Sequence, residues 1–66
     1  MTTLAESIIE QQARCRKLLG LYIEIGQPGV FAKMMIEDAL KRTDEAVMSG
    51  DVVAMIRLHE ELKEFE

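Results

Sequence analysis

Few residues in this chain are equipped for chemistry: one histidine, His59, one cysteine, Cys15, and a scatter of carboxylates. His59 follows Val52 and Ile56 along one side of a helical pattern and is itself followed by Glu60 and Glu61. General acid–base work needs a second positioned group and a pocket to hold a substrate. Glu60 falls on a different side of a helix from His59, so the expected role of His59 is structural or interfacial, with titration or metal binding as the alternative. Cys15 stands between Arg14 and Arg16-Lys17, cations of the kind that lower a thiol pKa and activate a nucleophile. Its place on an apolar seam points instead to burial, where a free cysteine behaves as a small hydrophobe. A catalytic thiol also needs a base, and no histidine lies near Cys15 in sequence.

Ligand-binding signatures are equally sparse. One Cys and one His cannot complete a four-ligand zinc site in a monomer. Gly26 and Gly29 match neither phosphate-binding glycine spacing. No catalytic, cofactor-binding or metal-ligating residue is assigned, and the expectation is a protein that is not an enzyme and carries no cofactor.

The elements that must position these residues are legible as helices. Ala32, Ala39 and Ala46 recur every seven residues with Ile36 and Thr43 between them, a stripe of small side chains that lets a second helix approach closely. Upstream, Thr3-Leu4-Ala5-Glu6 has capping-box spacing. Leu4, Ile8, Gln11, Cys15, Leu18, Tyr22 and Ile25 then form a seam in which Gln11 is the polar member. An amide there either fixes register and oligomer order by pairing across an interface or meets water on a half-buried turn. From Leu18 to Ile25 nearly every residue is apolar except Gly20 and Glu24, so one neighbouring helix cannot cover this end. It belongs at the centre of the fold or in a subunit interface.

Gly26-Gln27-Pro28-Gly29 and Ser49-Gly50-Asp51 punctuate the pattern, Gly26 and Gly50 ending helices and Asp51 capping the next. The expectation is an all-α, three-helix domain over residues 1–66: a long first helix (about 3–25), then an antiparallel helical hairpin (about 30–48 and 52–64). Lys33, Glu37, Lys41 and Glu45 mark the solvated side of the second helix, while Val52, Met55, Leu58, Leu62 and Phe65 share a face of the third.

At 66 residues the chain buries only about 60% of the surface its unfolded form exposes, so its own core is marginal. A single Cys15 excludes an internal disulfide, which leaves self-association as the expected support. The candidate interface comprises Gln11, Leu18, Leu21, Tyr22 and Ile25 from the first helix and Phe31, Met34 and Met35 from the second. Met34 falls toward the polar side, where a core role is harder to justify, and methionine suits adaptable contacts.

Charge narrows the partners. The net charge is −4, and residues 51–66 carry five acids against two bases. Arg14, Arg16 and Lys17 are the only cationic cluster, and they spread around the helix, so neither DNA nor RNA is an expected partner. A helix-turn-helix reader is rejected because the third helix offers Arg57 and Lys63 against four glutamates in its vicinity, Glu60, Glu61, Glu64 and Glu66. No apolar run is long enough to span a bilayer, and Met1-Thr2-Thr3 lacks the basic start of a secretory signal. The expected setting is cytoplasmic, with Cys15 a reduced thiol.

Brevity, acidity and the lack of catalytic residues give the chain the general look of small accessory reading frames of phages, plasmids and bacteria, a likeness of size and composition that no motif carries. The expected function is a non-enzymatic interaction or regulatory protein that pairs with itself, as a homodimer, and with another protein. Two rivals come from other classes. One is a small enzyme or enzyme subunit with a site at a dimer interface using His59 and Cys15. The other is an acidic mimic that blocks a nucleic-acid-binding protein.

Overall fold

A computed structural model describes residues 3–66, which form three α-helices and, among the described residues, no strand. Met1 and Thr2, part of the start read above for a secretory signal, lie outside the described residues. Helix α1 spans Leu4–Ile25, a 3-10 turn covers Gln27–Gly29, α2 spans Val30–Ser49 and α3 spans Val52–Glu64. Each helix packs against the other two.

Local chemistry accounts for the helix ends. Thr3 Oγ1 accepts from the Glu6 N–H at 3.1 Å, satisfying one of the free donors of the first turn of α1. Gly26 ends α1 at φ 82°, its N–H donating to the Tyr22 and Ile23 carbonyls. Gly50 closes α2 in the left-handed region at φ 70°, and the N–H groups of Gly50 and Asp51 return to Val47 and Ala46. Asp51 Oδ1 then accepts from Ala54 N–H at 3.1 Å to open α3.

The core follows the alanine stripe. Ile36, Ala39 and Thr43 are wholly buried and Ala46 nearly so, while Ala32 is half-buried. Cys15, Leu40 and Leu62 complete the central cluster, with Leu18, Leu19, Tyr22 and Phe65 packed around it. Thr43 sits in this apolar setting at no cost in unpaired polar atoms, because its hydroxyl donates to the Ala39 carbonyl at 2.7 Å.

Gly29 makes the α1–α2 junction possible. It is buried, and a Cβ added there would lie 2.7 Å from the Tyr22 carbonyl oxygen and 3.2 Å from Tyr22 Cα. Only a residue without a side chain allows the chain to turn this closely against the last turn of α1.

Three details of the sequence patterning need correction. Ile8, Gln12 and Cys15 are the buried positions of α1, whereas Gln11 is half-buried and Ile25 exposed. Steps of four then three and of three then four are both permitted on a helix, so the pattern alone did not separate Gln12 from Gln11. Val52 is exposed and Met55 half-buried, and of this face of α3 only Leu58 and Leu62 are buried. Finally, the apolar end of α1 is divided: Leu18, Leu19 and Tyr22 pack against the core, whereas Leu21, Ile23 and Ile25 are each more than half exposed, so of the two expected placements the centre of the fold holds for one side of this stretch only.

Candidate functional site

The thiol and the imidazole have different settings. Cys15 has no accessible surface, and its Sγ donates to the Leu62 carbonyl at 3.4 Å. Burial pushes its pKa above the usual thiol value, against a smaller opposing pull from the Arg14 charge. That direction is opposite to what a nucleophilic thiolate requires. His59 is partly covered, with Nδ1 at 3.6 Å from Glu60 Oε1. Neighbouring positions point about 100° apart on a helix, yet the length of the glutamate side chain brings the two groups near each other, contrary to the expected separation.

Between the helices, polar groups act as fasteners. Buried Gln12 donates from Nε2 to Asp44 Oδ1 at 2.9 Å, joining α1 to α2. Arg14 joins α1 to α3: its guanidinium donates to the Phe65 carbonyl at 2.7 Å and the Leu62 carbonyl at 2.6 Å, while Nε donates to Gln11 Oε1 at 2.9 Å. A cation at the carbonyl end of α3 offsets the unfavourable placement of acids there. Tyr22 adds a second tie by donating its hydroxyl to the backbone oxygen of Glu66. Gln11 is therefore engaged within its own helix, as the acceptor for Arg14.

On the outside, Arg42 joins α2 to α3 through a two-pronged contact with Glu61, at 3.0 and 2.5 Å, and also donates to Asp38 at 2.8 Å. The Glu61 carboxylate, then Asp38, hold this guanidinium protonated well above its ordinary range. The close ion pairs of α2 are those of Arg42 with Asp38 and Glu61, and do not involve Lys33, Glu37, Lys41 or Glu45.

Besides Gln11, half-buried and taken up by Arg14, the predicted interface residues divide into two groups. Leu18 and Tyr22 are half-buried and pack on the monomer's own core. Leu21, Ile25, Phe31, Met34 and Met35 are exposed, Phe31 to 75%. They occupy the last turns of α1 and the first turns of α2, which the Gly26–Gly29 link holds at one end of the molecule. Val30 and Ile23 add to the uncovered apolar surface at this end.

Sequence reasoning missed Gln12, Asp44, the fastening role of Arg14 and the close approach at Gly29. The available signal was a glutamine pair at positions 11 and 12, either of which fits the seam; Asp44 and Leu62, the partners that decide, lie 32 and 47 or 48 residues away from the α1 residues they hold. Among the described residues no group of three or more His, Cys, Asp or Glu is arranged to hold a metal ion, and no helix is long and apolar enough to cross a membrane. Compared with models of known protein families, with curated proteins and with solved structures, the chain matches none.

Proposed function

We propose that this protein is a small non-enzymatic interaction module that works as a homodimer and presents its helices to a protein partner, in the manner of an accessory or regulatory protein in the cytoplasm. Within each copy α2 and α3 form an antiparallel hairpin laid beside α1. The observation that carries the proposal is the uncovered apolar end formed by Leu21, Ile25, Phe31, Met34 and Met35. Apolar surface gathered at one end, on a chain with so small a core, is the usual mark of an interaction surface.

Magnitudes support a dimer of moderate affinity. Covering a large apolar side chain completely contributes about 1.5–3 kcal/mol, and a two-fold interface uses each side chain twice. Ten side chains, five from each copy and each about half to three-quarters exposed, then contribute on the order of 9–18 kcal/mol against an association cost of about 4–15 kcal/mol, a surplus of a few kcal/mol that lies nearer the roughly 8 kcal/mol of a micromolar complex than the roughly 16 kcal/mol of a picomolar one.

Support for the non-enzymatic role comes from the thiol. Cys15 is buried, bonded to a carbonyl and shifted away from thiolate formation, so it lacks the features of a nucleophile. The acidic-mimic alternative loses ground because Arg42 occupies Glu61 and Asp38, and Lys63 lies 3.9 Å from Glu60, which breaks up a single-sign face.

The test uses substitutions that the monomer tolerates. Leu21→Glu and Phe31→Glu lie on exposed positions, so each variant is expected to keep the helical far-UV circular dichroism of the wild type while eluting as a smaller species. Variants that keep the wild-type size would remove this end of the molecule from the interface.

A further inference from the structure

At the opposite ends of α1 and α2 lies a second feature, independent of the dimer surface. A groove of about 310 Å³ runs between the first turns of α1 and the last turns of α2, with one residue from α3. Ile9, Val47, Met48 and Met55 supply apolar lining, and Gln12 and Asp44 supply the polar groups. Its size lies near the lower limit of ordinary ligand pockets, about 300–1,000 Å³, which suits an inserted side chain better than a whole helix.

The polar pair sets the chemistry. Gln12 is only 8% exposed, and its amide donates to one oxygen of Asp44, fixing the carboxylate against the groove. Among the described residues Asp44 has no cationic partner, and no Lys or Arg lines the groove. A carboxylate held by a buried amide beside flexible methionine walls is complementary to one kind of group: a cation on an aliphatic stem. Lysine and arginine have that form, and the acidic net charge of the chain favours the approach of a basic segment.

We propose that this groove docks a basic, amphipathic segment of a partner protein by taking in one Lys or Arg side chain. Its methylene stem lies along Met48 and Met55, and its charged head donates to Asp44 in a charge-assisted hydrogen bond. This partner is distinct from the second copy at the Phe31 end, and the test below does not depend on the oligomeric state.

The minimal probe is n-pentylammonium, with n-pentanol as the uncharged control, titrated into the isotope-labelled protein and followed by NMR. The expected result is saturable shifts of the Gln12 side-chain amide and the Met48 and Met55 methyls with pentylammonium, and at least tenfold weaker binding of pentanol. Asp44→Asn keeps an oxygen to accept from Gln12 while removing the charge, and is expected to weaken pentylammonium binding at least tenfold. Met48→Ser, at a position 88% exposed and so harmless to folding, is expected to weaken both probes. Shifts that stay linear in probe concentration, equal binding of the two probes, or an Asp44→Asn variant that binds pentylammonium as well as the wild type would overturn the proposal.

Discussion

At the scale of single residues, two glycines of the same chain have opposite expected behaviour. Gly29 is pressed against the Tyr22 backbone, so Gly29→Ala forces an overlap and is expected to destabilise the protein by about 1–3 kcal/mol. Gly20 lies within α1 with open space where a Cβ would go, so Gly20→Ala is expected to stabilise it by about 0.5–1 kcal/mol. Urea unfolding of the two variants checks both signs, and a Gly29→Ala protein as stable as the wild type would refute the close approach. Cys15 gives a prediction in pH. Its folded pKa is raised above the ordinary thiol value of 9.0, so the folded state holds its proton longer than the unfolded state. The associated stability is fully present below pH 9 and is lost as pH rises through the folded pKa. Cys15→Ser keeps a donor for the Leu62 carbonyl but does not titrate, so its stability should fall less steeply above pH 9 than that of the wild type. Parallel curves for the two proteins would contradict the burial of the thiol.

At the scale of elements, the three helices and their breaks were legible because their causes are local. A threonine three residues before Glu6, a glycine at each positive φ and an aspartate before Val52 act through bonds spanning three to five residues. The stripe from Ala39 to Ala46 was legible for a related reason, since its period matches the helix. The fasteners between helices were not legible, because Gln12–Asp44 and Arg14–Leu62 join residues far apart in sequence that no periodicity relates. Two arginines both connect helices, yet their weights differ. Arg42 pairs with Glu61 at the exposed surface, where solvent screening leaves a pair about 0–1 kcal/mol. Arg14 serves carbonyls of the last turn of α3 from a partly buried position, where a hydrogen bond to a charged group contributes about 1.5–3 kcal/mol. Arg14→Met, which keeps the aliphatic stem, is therefore expected to lower stability more than Arg42→Met and to speed amide hydrogen exchange at Phe65. Equal losses for the two variants would show that the clasp on α3 contributes no more than a surface pair.

At the scale of the whole molecule, charge and apolar surface point to different kinds of partner. Arg14 is occupied by backbone carbonyls, which leaves Arg16 and Lys17 as the exposed cations of the one basic cluster, and a dimer would carry a net charge of about −8. Gel-shift titration with a mixed DNA and RNA pool at low salt is expected to show no saturable binding; a salt-sensitive complex below about 10 μM would refute this. The apolar end of the chain was only half legible. Its composition marked Leu18 to Ile25 as needing cover on more than one side, but periodicity does not divide such a stretch between a core and an outer surface. The fold makes that division, placing Leu18 and Tyr22 against the core and leaving Leu21 and Ile25 exposed, as are Phe31 and Met34 of α2. In the proposed dimer a second copy covers these outward side chains. Sedimentation equilibrium of the wild-type protein at tens of micromolar is expected to give a mass approaching about 15 kDa, twice the chain's 7.5 kDa, falling to the single-chain value in Phe31→Glu. A wild-type protein that sediments at 7.5 kDa throughout that range would contradict the dimer.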